Sequence, residues 1–206
     1  MKLYANGCSF VMGQELVDNN PLNIDNTKTA FPALIEAHND AWSGSSNQAI
    51  ANRTVEYCNR VKPDIAIIGW SAYSRINAFQ HFHERKDRLG QTTIKPSTHP
   101  KEFESFFNND EMLYMQSKNL VEGTYMILSN MRVKPVFFFS FNDVVKVDVP
   151  TLWNNKCWND AYYEDTDKSA KDRKQQHPDQ DQHNWLAEYL KAVSYTHLTL
   201  PTTVQV

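Results

Sequence analysis

Two residues at opposite ends of the chain have the side chains of a nucleophile and a base. Ser9 follows Gly7 directly after a short apolar run, Leu3–Ala5, which predicts a strand. His177 lies in a His-Pro pair shortly before the last expected helix. A serine hydroxyl at a strand end can attack an acyl carbonyl when a histidine accepts its proton. On its own, such a serine is more often a turn residue or a helix N-cap, so the hypothesis depends on whether His177 lies beside it.

The alternation of apolar and amphipathic segments predicts a fold that would bring these two residues together. The expected strands are Leu3–Ala5, Ala41–Ser43, Ile65–Trp70, Val136–Phe139 and an edge strand over Val144–Val149. Helices between them are typical of a three-layer α/β/α sandwich with a mostly parallel, flavodoxin-like sheet of four to five strands. Parallel strands open their carboxyl-end loops at one edge of the sheet, where ligands bind. Ser9 and the loop before the last helix are both expected at that edge.

Spacing and capping residues locate the expected helices. They cover residues 31–35, 47 to about 61, 110–131 and 184–192, with the charged segment 154–176 as a loop. Ser46 or Asn47 is the expected N-cap of the second helix, and Asp181 that of the last. His183 would then lie in a first helical turn, where the helix dipole disfavours an imidazolium ion. We therefore expect His183 to be a packing or capping residue and His177 to be the base.

Length, charge and cysteine content exclude several classes of function. With 206 residues, of which 41% are hydrophobic, the chain is expected to form one domain over residues 1–192. A formal net charge of -3 gives no basic surface for nucleic acid. The three cysteines form neither a CxxC pair nor a disulfide framework, and no apolar run has the length of a signal peptide or a membrane span. We expect a cytoplasmic protein without nucleic-acid or membrane partners, and the oligomeric state stays open.

The composition changes from Val193 onward. The final residues, SYTHLTLPTTVQV, are rich in Thr and Leu and contain no Lys, Arg, Asp or Glu. Residues 193–206 resemble the translated read-through of a sequencing adapter. They are therefore expected to be a non-native tail whose end is frayed or unusually docked.

Four sequence blocks together resemble the SGNH (GDSL-like) hydrolase superfamily, especially its small members from tailed phages and marine metagenomes. In chain order they are NGCSF, WSGSSN, IIGWSAYSR and HPDQDQHNWLAEYL. The resemblance implies that Ser9 is the nucleophile, that the N–H of Gly44 serves the oxyanion hole, and that His177 is the base. It implies no metal or organic cofactor. Cys8 replaces the aspartate that the family has beside its nucleophile, a tolerable change because the neighbouring serine carries the reaction.

Two further positions depart from the family pattern. Ser71 stands where the family has an oxyanion-hole asparagine, so Asn47 is considered as a substitute donor from the neighbouring loop. Lys174 stands where the family has an acid, three residues before the histidine. Three alternatives stay open: Asp172 orients His177 from a shifted position, the enzyme works as a Ser-His dyad, or the site is inactive. Loss of an orienting acid can cost on the order of 10⁴ in rate.

The expected function is ester hydrolysis, with a short acyl group such as acetyl on a carbohydrate as the substrate suggested by the resemblance. Trp70 and Arg75, in and just after the third block, are expected to bind the substrate, Arg75 through an anionic or sugar group. The alternative is a catalytically impaired protein of the same fold that binds a glycan or a partner, such as a phage accessory or virion protein. The substitutions at Ser71 and Lys174 favour that alternative.

Overall fold

Strands and helices alternate in the computed structural model, which describes residues 1–13, 16, 29–79, 91–94, 110–142, 144–166 and 177–198. The strands are β1 (Leu3–Gly7), β2 (His38–Asn39), β3 (Ile65–Trp70), β4 (Ile76–Phe79), β5 (Gln91–Ile94) and β6 (Lys134–Phe139). The helices are α1 (Ser9–Met12), α2 (Phe31–Leu34), α3 (Asn47–Val61), α4 (Asp110–Asn130), α5 (Trp158–Asp165) and α6 (Gln180–Leu198). A 3-10 turn spans Leu152–Asn155.

Four parallel strands form the central sheet, in the order β2-β1-β3-β6. In the register of the two inner strands, Leu3 lies opposite Ile65 and Gly7 lies opposite Gly69. β4 and β5 form a separate antiparallel pair. The predicted α/β fold with a parallel sheet is therefore confirmed, and the carboxyl ends of β1, β3 and β6 lie at one edge.

The side chains of β3 alternate between the two faces of the sheet and so divide the core into two halves. Every residue of Ile65–Trp70 is buried. Ile68 belongs to a cluster that includes Leu128 of α4, whereas Ile67 belongs to a cluster that includes Leu186 of α6. This alternation with period two is the geometry of a strand covered by helices on both faces. It produces the three layers of the fold.

Gly7 and Gly69, paired across β1 and β3, let the short helix α1 lie directly on the sheet. A Cβ atom added to Gly69 would be 2.5 Å from Val11 Cγ2, and one added to Gly7 would also clash with Val11. A side chain at either glycine would therefore displace α1 from the sheet. Ser9 is the first residue of α1, so the two glycines determine where its hydroxyl lies.

The starts of two helices test the capping predictions. Ser46, one of the two predicted N-caps, caps α3, and its Oγ accepts a hydrogen bond from the Ala49 N–H over 3.3 Å. The prediction of Asp181 as the last N-cap is wrong. α6 begins at Gln180, and Asp179 Oδ1 accepts from the Gln182 N–H over 3.0 Å. Asp181 lies within the first turn, where a negative charge is also favourable.

Two predicted strands differ from the structure. The short second strand is His38–Asn39 rather than Ala41–Ser43. Val144–Val149 forms no strand, because its backbone N–H groups are bound by α4 instead of by the sheet. The N–H of Lys146 donates to Tyr114 Oη over 3.0 Å, and the N–H of Asp148 donates to Glu122 Oε1 over 2.8 Å.

Two helices occupy segments that were expected to be a loop and a tail. α5 lies within the segment 154–176, which was expected to be a loop. Its buried residues Trp158, Ala161 and Tyr162 have helical spacing that the surrounding charges conceal in the sequence. The last helix continues past Val193 to Leu198, into the segment expected to be a tail. Within the described residues, no helix combines the length and the apolar character that crossing a membrane requires.

His183 is a core residue, in agreement with its predicted packing role. The Phe31 N–H donates to His183 Nδ1 over 3.0 Å, which ties α2 to α6. The imidazole is buried, stacked on the Phe31 ring and edge-on to Trp158. Burial lowers the pKa of His183 from 6.5 to about 3, because the charged form would lose its hydration. The neutral form is therefore the one compatible with the fold.

We expect His183 to make the protein sensitive to mild acid. Its folded-state pKa is depressed, so its contribution is fully present above about pH 6.5 and is lost as the pH falls towards 3. Between pH 6.5 and pH 5 the free energy of unfolding should fall by roughly 2 kcal/mol through this residue. Urea unfolding followed by tryptophan fluorescence measures this loss. His183→Asn keeps an acceptor for the Phe31 N–H without titrating, so an unchanged acid dependence in that variant would contradict the assignment.

Candidate active site

Ser9 and His177 lie within hydrogen-bond distance of each other. Ser9 Oγ is 2.9 Å from His177 Nε2, although the two residues are 168 positions apart. Ser9 begins α1 at the end of β1, and His177 lies three residues before α6. With the proton of the imidazole on Nδ1, Nε2 is the acceptor for the serine O–H. This is the arrangement in which a histidine can take the proton of an attacking serine.

Two phenylalanine rings form the wall behind the imidazole. The ring centroid of Phe10 is 5.3 Å from that of His177 and 4.3 Å from that of Phe141. Phe10 follows Ser9 directly in α1, and Phe141 lies two residues after β6. Phe10 of the nucleophile helix thus contacts both the base and the ring that follows β6. This contact restricts the orientation of the imidazole ring.

A buried arginine connects the nucleophile turn to the loop that carries Gly44. Arg53 Nη2 donates to Ser45 Oγ over 2.7 Å and to Asn6 Oδ1 over 3.3 Å. Asn6 Oδ1 also accepts from the Gly7 N–H over 2.7 Å. The Trp42 N–H donates to the Gly7 carbonyl over 3.2 Å. These bonds hold the loop 42–45 beside the turn that precedes Ser9.

Asn6 and Arg53 were not identified from the sequence. The available signals were an asparagine inside an apolar strand and an arginine three residues after Ile50, on the apolar side of α3. Arg53 is 6% exposed, and Asn6 Nδ2 donates to Ile50 O and to Thr54 Oγ1. Buried polar groups at such positions are bound by hydrogen bonds, and here those bonds are made to the site.

Ser9 and Gly44 have backbone N–H groups that are free within the described part of the chain. Gly44 lies in the loop bound by Arg53, is half-buried and has a φ of 76°. This left-handed conformation favours glycine. Two N–H groups on neighbouring loops are the donors that an oxyanion hole requires.

The amide of Asn47, the other residue considered as an oxyanion donor, is engaged elsewhere. Its Nδ2 donates to the Ser71 carbonyl and to Ser117 Oγ, both over 3.1 Å, and its Oδ1 accepts from the Ser71 N–H over 2.7 Å. Asn47 therefore fixes the end of β3 against α3 and α4, and we assign it no contact with the oxyanion. Ser71 Oγ is buried and has no hydrogen-bond partner among the described residues.

The other predicted site residues have different positions. Trp70 was expected to bind substrate but is fully buried in the core, edge-on to Phe137 at 5.3 Å, so the structure assigns it to packing. Arg75 lies just after β3, and its guanidinium carbon is 4.5 Å from the centroid of the Phe141 ring. Asp172 and Lys174 lie outside the described residues.

The described residues offer no reactive thiol among Cys58 and Cys157 and no cluster of metal ligands. Cys8, beside the nucleophile, is fully buried, as are Cys58 and Cys157. Burial raises the pKa of Cys58 to about 12 and that of Cys157 to about 11, which keeps both thiols protonated and unreactive. Among these residues, no group of three His, Cys, Asp or Glu side chains is arranged to hold a metal ion.

Comparison with solved structures identifies the fold. A protein from Desulfitobacterium hafniense described as lipolytic and of the G-D-S-L family has a TM-score of 0.50 and 12% identity, covering 93% of this chain and 98% of that chain. The psychrotrophic esterase EstA from Pseudoalteromonas sp. has a TM-score of 0.50 and 8% identity, covering 97% of this chain and 100% of the esterase. The chain has an SGNH-like hydrolase fold.

A third structure extends the SGNH-like likeness. A protein from Bacteroides fragilis classed as an acylhydrolase has a TM-score of 0.50 and 9% identity, covering 95% of this chain and 87% of that chain. No protein-family model matches the sequence, and no curated protein matches it significantly. At such low identities the likeness establishes the SGNH-like fold, and the chemistry has to be argued from the residues of the site.

Proposed function

We propose that the protein is a serine ester hydrolase in which Ser9 is the nucleophile and His177 the general base. The observation that carries this proposal is the distance of 2.9 Å between Ser9 Oγ and His177 Nε2. A chance contact between a buried serine and a histidine 168 residues away would have no reason to lie at the carboxyl edge of the sheet. The likeness to esterases and acylhydrolases is consistent with the same chemistry.

The proposed reaction has two steps. Ser9 Oγ attacks the acyl carbonyl while His177 takes its proton, and the imidazolium then gives that proton to the leaving alcohol. Water, activated by His177, attacks the acyl-enzyme and releases the acid. The N–H groups of Ser9 and Gly44 are proposed to bind the oxyanion of each tetrahedral intermediate. Ser71 Oγ, buried and without a described partner, is a further candidate donor.

We also propose which residue orients His177 and which substrate is hydrolysed. Asp172 stays the predicted orienting acid, and its position is not described. A short acyl group such as acetyl on a carbohydrate is proposed from the sequence resemblance and from the phenylalanine wall of Phe10 and Phe141. Aromatic rings of this kind suit the apolar face of a sugar or a small acyl chain.

Hydrolysis of 4-nitrophenyl acetate by the protein and by Ser9→Ala tests the proposal. We expect kcat to fall by about 10⁴ or more in Ser9→Ala, because the covalent step is lost. Ser129→Ala, which changes an exposed serine of α4, is the matched control and should keep the parent rate. Equal rates in the parent and in Ser9→Ala would overturn the proposal and favour the alternative of a binding protein.

Phosphonate labelling gives an independent measurement. The Pseudoalteromonas esterase was solved in a form inhibited by monoethylphosphonate. A reactive ethylphosphonate ester should add one phosphonyl group to Ser9 of this protein, detected by mass spectrometry of the peptide that contains residues 3–12. Ser9→Ala should remain unlabelled.

A further inference from the structure

Arg75 has its guanidinium group over the ring of Phe141, which also contacts Phe10 beside Ser9. The Arg75 N–H donates to the Ala72 carbonyl over 3.2 Å, which closes a turn just after β3. The guanidinium carbon is 4.5 Å from the centroid of the Phe141 ring. A cation over an aromatic face is attracted to the ring, and this contact holds the guanidinium in place.

One nitrogen of this guanidinium is buried without an acceptor. Arg75 Nη1 is shielded from solvent and has no hydrogen-bond partner among the described residues. A buried donor of a charged group without a partner is costly, because its hydration is lost and nothing replaces it. The cost is removed when a small shift of the side chain brings this nitrogen to a ligand oxygen, and an anionic oxygen is the best acceptor.

The aromatic wall connects this unused donor to the catalytic pair. Phe141 contacts Phe10 with a centroid distance of 4.3 Å, and Phe10 contacts His177 at 5.3 Å. Arg75 and His177 therefore lie on opposite ends of the same pair of rings. Phe10 is buried and Phe141 is half-buried, so Phe141 is the ring of the pair that a substrate with its ester at Ser9 can contact next to the guanidinium.

We propose that Arg75 binds an anionic oxygen group of the substrate, such as a carboxylate, so that the enzyme selects esters that carry a negative charge near the reacting bond. This inference rests on the proposed function. A guanidinium edge matches the two oxygens of a carboxylate, and the contact with Phe141 restricts the position of the guanidinium. The anionic group can belong to the acyl part or to the alcohol part of the ester.

Two pairs of esters show whether the anionic group belongs to the acyl part or to the alcohol part. Mono-4-nitrophenyl glutarate and 4-nitrophenyl acetate differ by a carboxylate on the acyl part, and 4-acetoxybenzoate and its methyl ester differ by one on the alcohol part. For one pair, the parent should have the higher kcat/KM with the anionic ester. Arg75→Gln should reduce the ratio of anionic to neutral kcat/KM by roughly 10- to 100-fold, mainly through KM.

Two control variants make the result specific. Arg75→Lys keeps the charge but loses the two-donor edge, so it should retain only part of the preference. Arg60→Gln, at an exposed arginine of α3, should leave the ratio unchanged. The proposal is overturned if the parent shows no preference in either pair, or if Arg75→Gln lowers kcat/KM equally for both esters of each pair.

A binding measurement separates this inference from the proposed function. If the parent hydrolyses no ester, the proposed function fails, and calorimetry then decides the role of Arg75. The probes are N-(4-nitrophenyl)glutaramic acid and neutral 4-nitroacetanilide, each titrated into Ser9→Ala and into Ser9→Ala with Arg75→Gln. Binding of the acid should weaken by roughly 10- to 100-fold when Arg75 is replaced. Equal affinities in the two proteins would overturn the inference.

Discussion

Replacement of His177 by alanine should lower kcat for 4-nitrophenyl acetate by on the order of 10⁴, because Ser9 would lose the group that accepts its proton. KM should change little, since the imidazole acts on the serine proton rather than on the bound ester. The measurement is steady-state hydrolysis at neutral pH with freshly purified variant protein. Added imidazole should restore part of the rate, because the space left by the side chain lies beside Ser9 Oγ.

The combined variant decides whether Ser9 and His177 act as a unit. Groups that work in one proton transfer are not additive, so Ser9→Ala with His177→Ala should be no slower than the slower single variant. His38→Ala, at an exposed histidine of β2, is the matched control and should keep the parent rate. Multiplicative losses in the combined variant, or full activity in His177→Ala, would contradict the assignment.

Gly69→Ala is expected to destabilise the protein by about 3 kcal/mol and to reduce its activity, although Gly69 is not part of the catalytic pair. The new Cβ would be 2.5 Å from Val11 Cγ2 and 2.7 Å from Cζ of Phe138. Relief of the first clash would move α1 away from the sheet and carry Ser9 away from His177. Denaturant unfolding and kcat measured on the same preparation test both effects.

Two other variants separate this clash from the general effect of an added methyl group. Gly123 lies in α4, and a Cβ there would have no heavy atom within 4 Å, so Gly123→Ala should stabilise the protein by about 0.5–1 kcal/mol. Val11→Ala should cost less stability in the Gly69→Ala background than in the parent, since it removes one clashing atom. Equal costs in both backgrounds would show that α1 does not rest on Gly69.

The sequence was sufficient for the parts of the fold that depend on local patterns. The continuous apolar run Ile65–Trp70 predicted the buried central strand, and the two N-cap candidates, Ser46 and Asn47, predicted the start of α3 to within one residue. The pairing of Ser9 with His177 followed from the rule that parallel strands open their loops at one edge, and their contact agrees with it. The position of the central strand and the edge to which the loops open thus follow from hydrophobic pattern and topology.

The features that could not be predicted depend on contacts between distant segments. In the sequence Arg53 looks like an ordinary helix residue, because its hydrogen-bond partners Asn6 and Ser45 become apparent only in the folded structure. Val144–Val149 has the composition of a strand, but side chains of α4 take up its N–H groups. Trp70 ends a strand at the correct edge, and only the direction of its side chain places it in the core. Such outcomes depend on three-dimensional packing rather than on spacing along the chain.

The contact between Ser9 and His177 also has a consequence for biosynthesis. During synthesis the histidine leaves the ribosome 168 residues after the serine. Because closing so long a loop is entropically costly, the pair forms only when the sheet and the last helix have assembled. A nascent chain would thus carry an inert hydroxyl until the segment between the two residues has been made and folded.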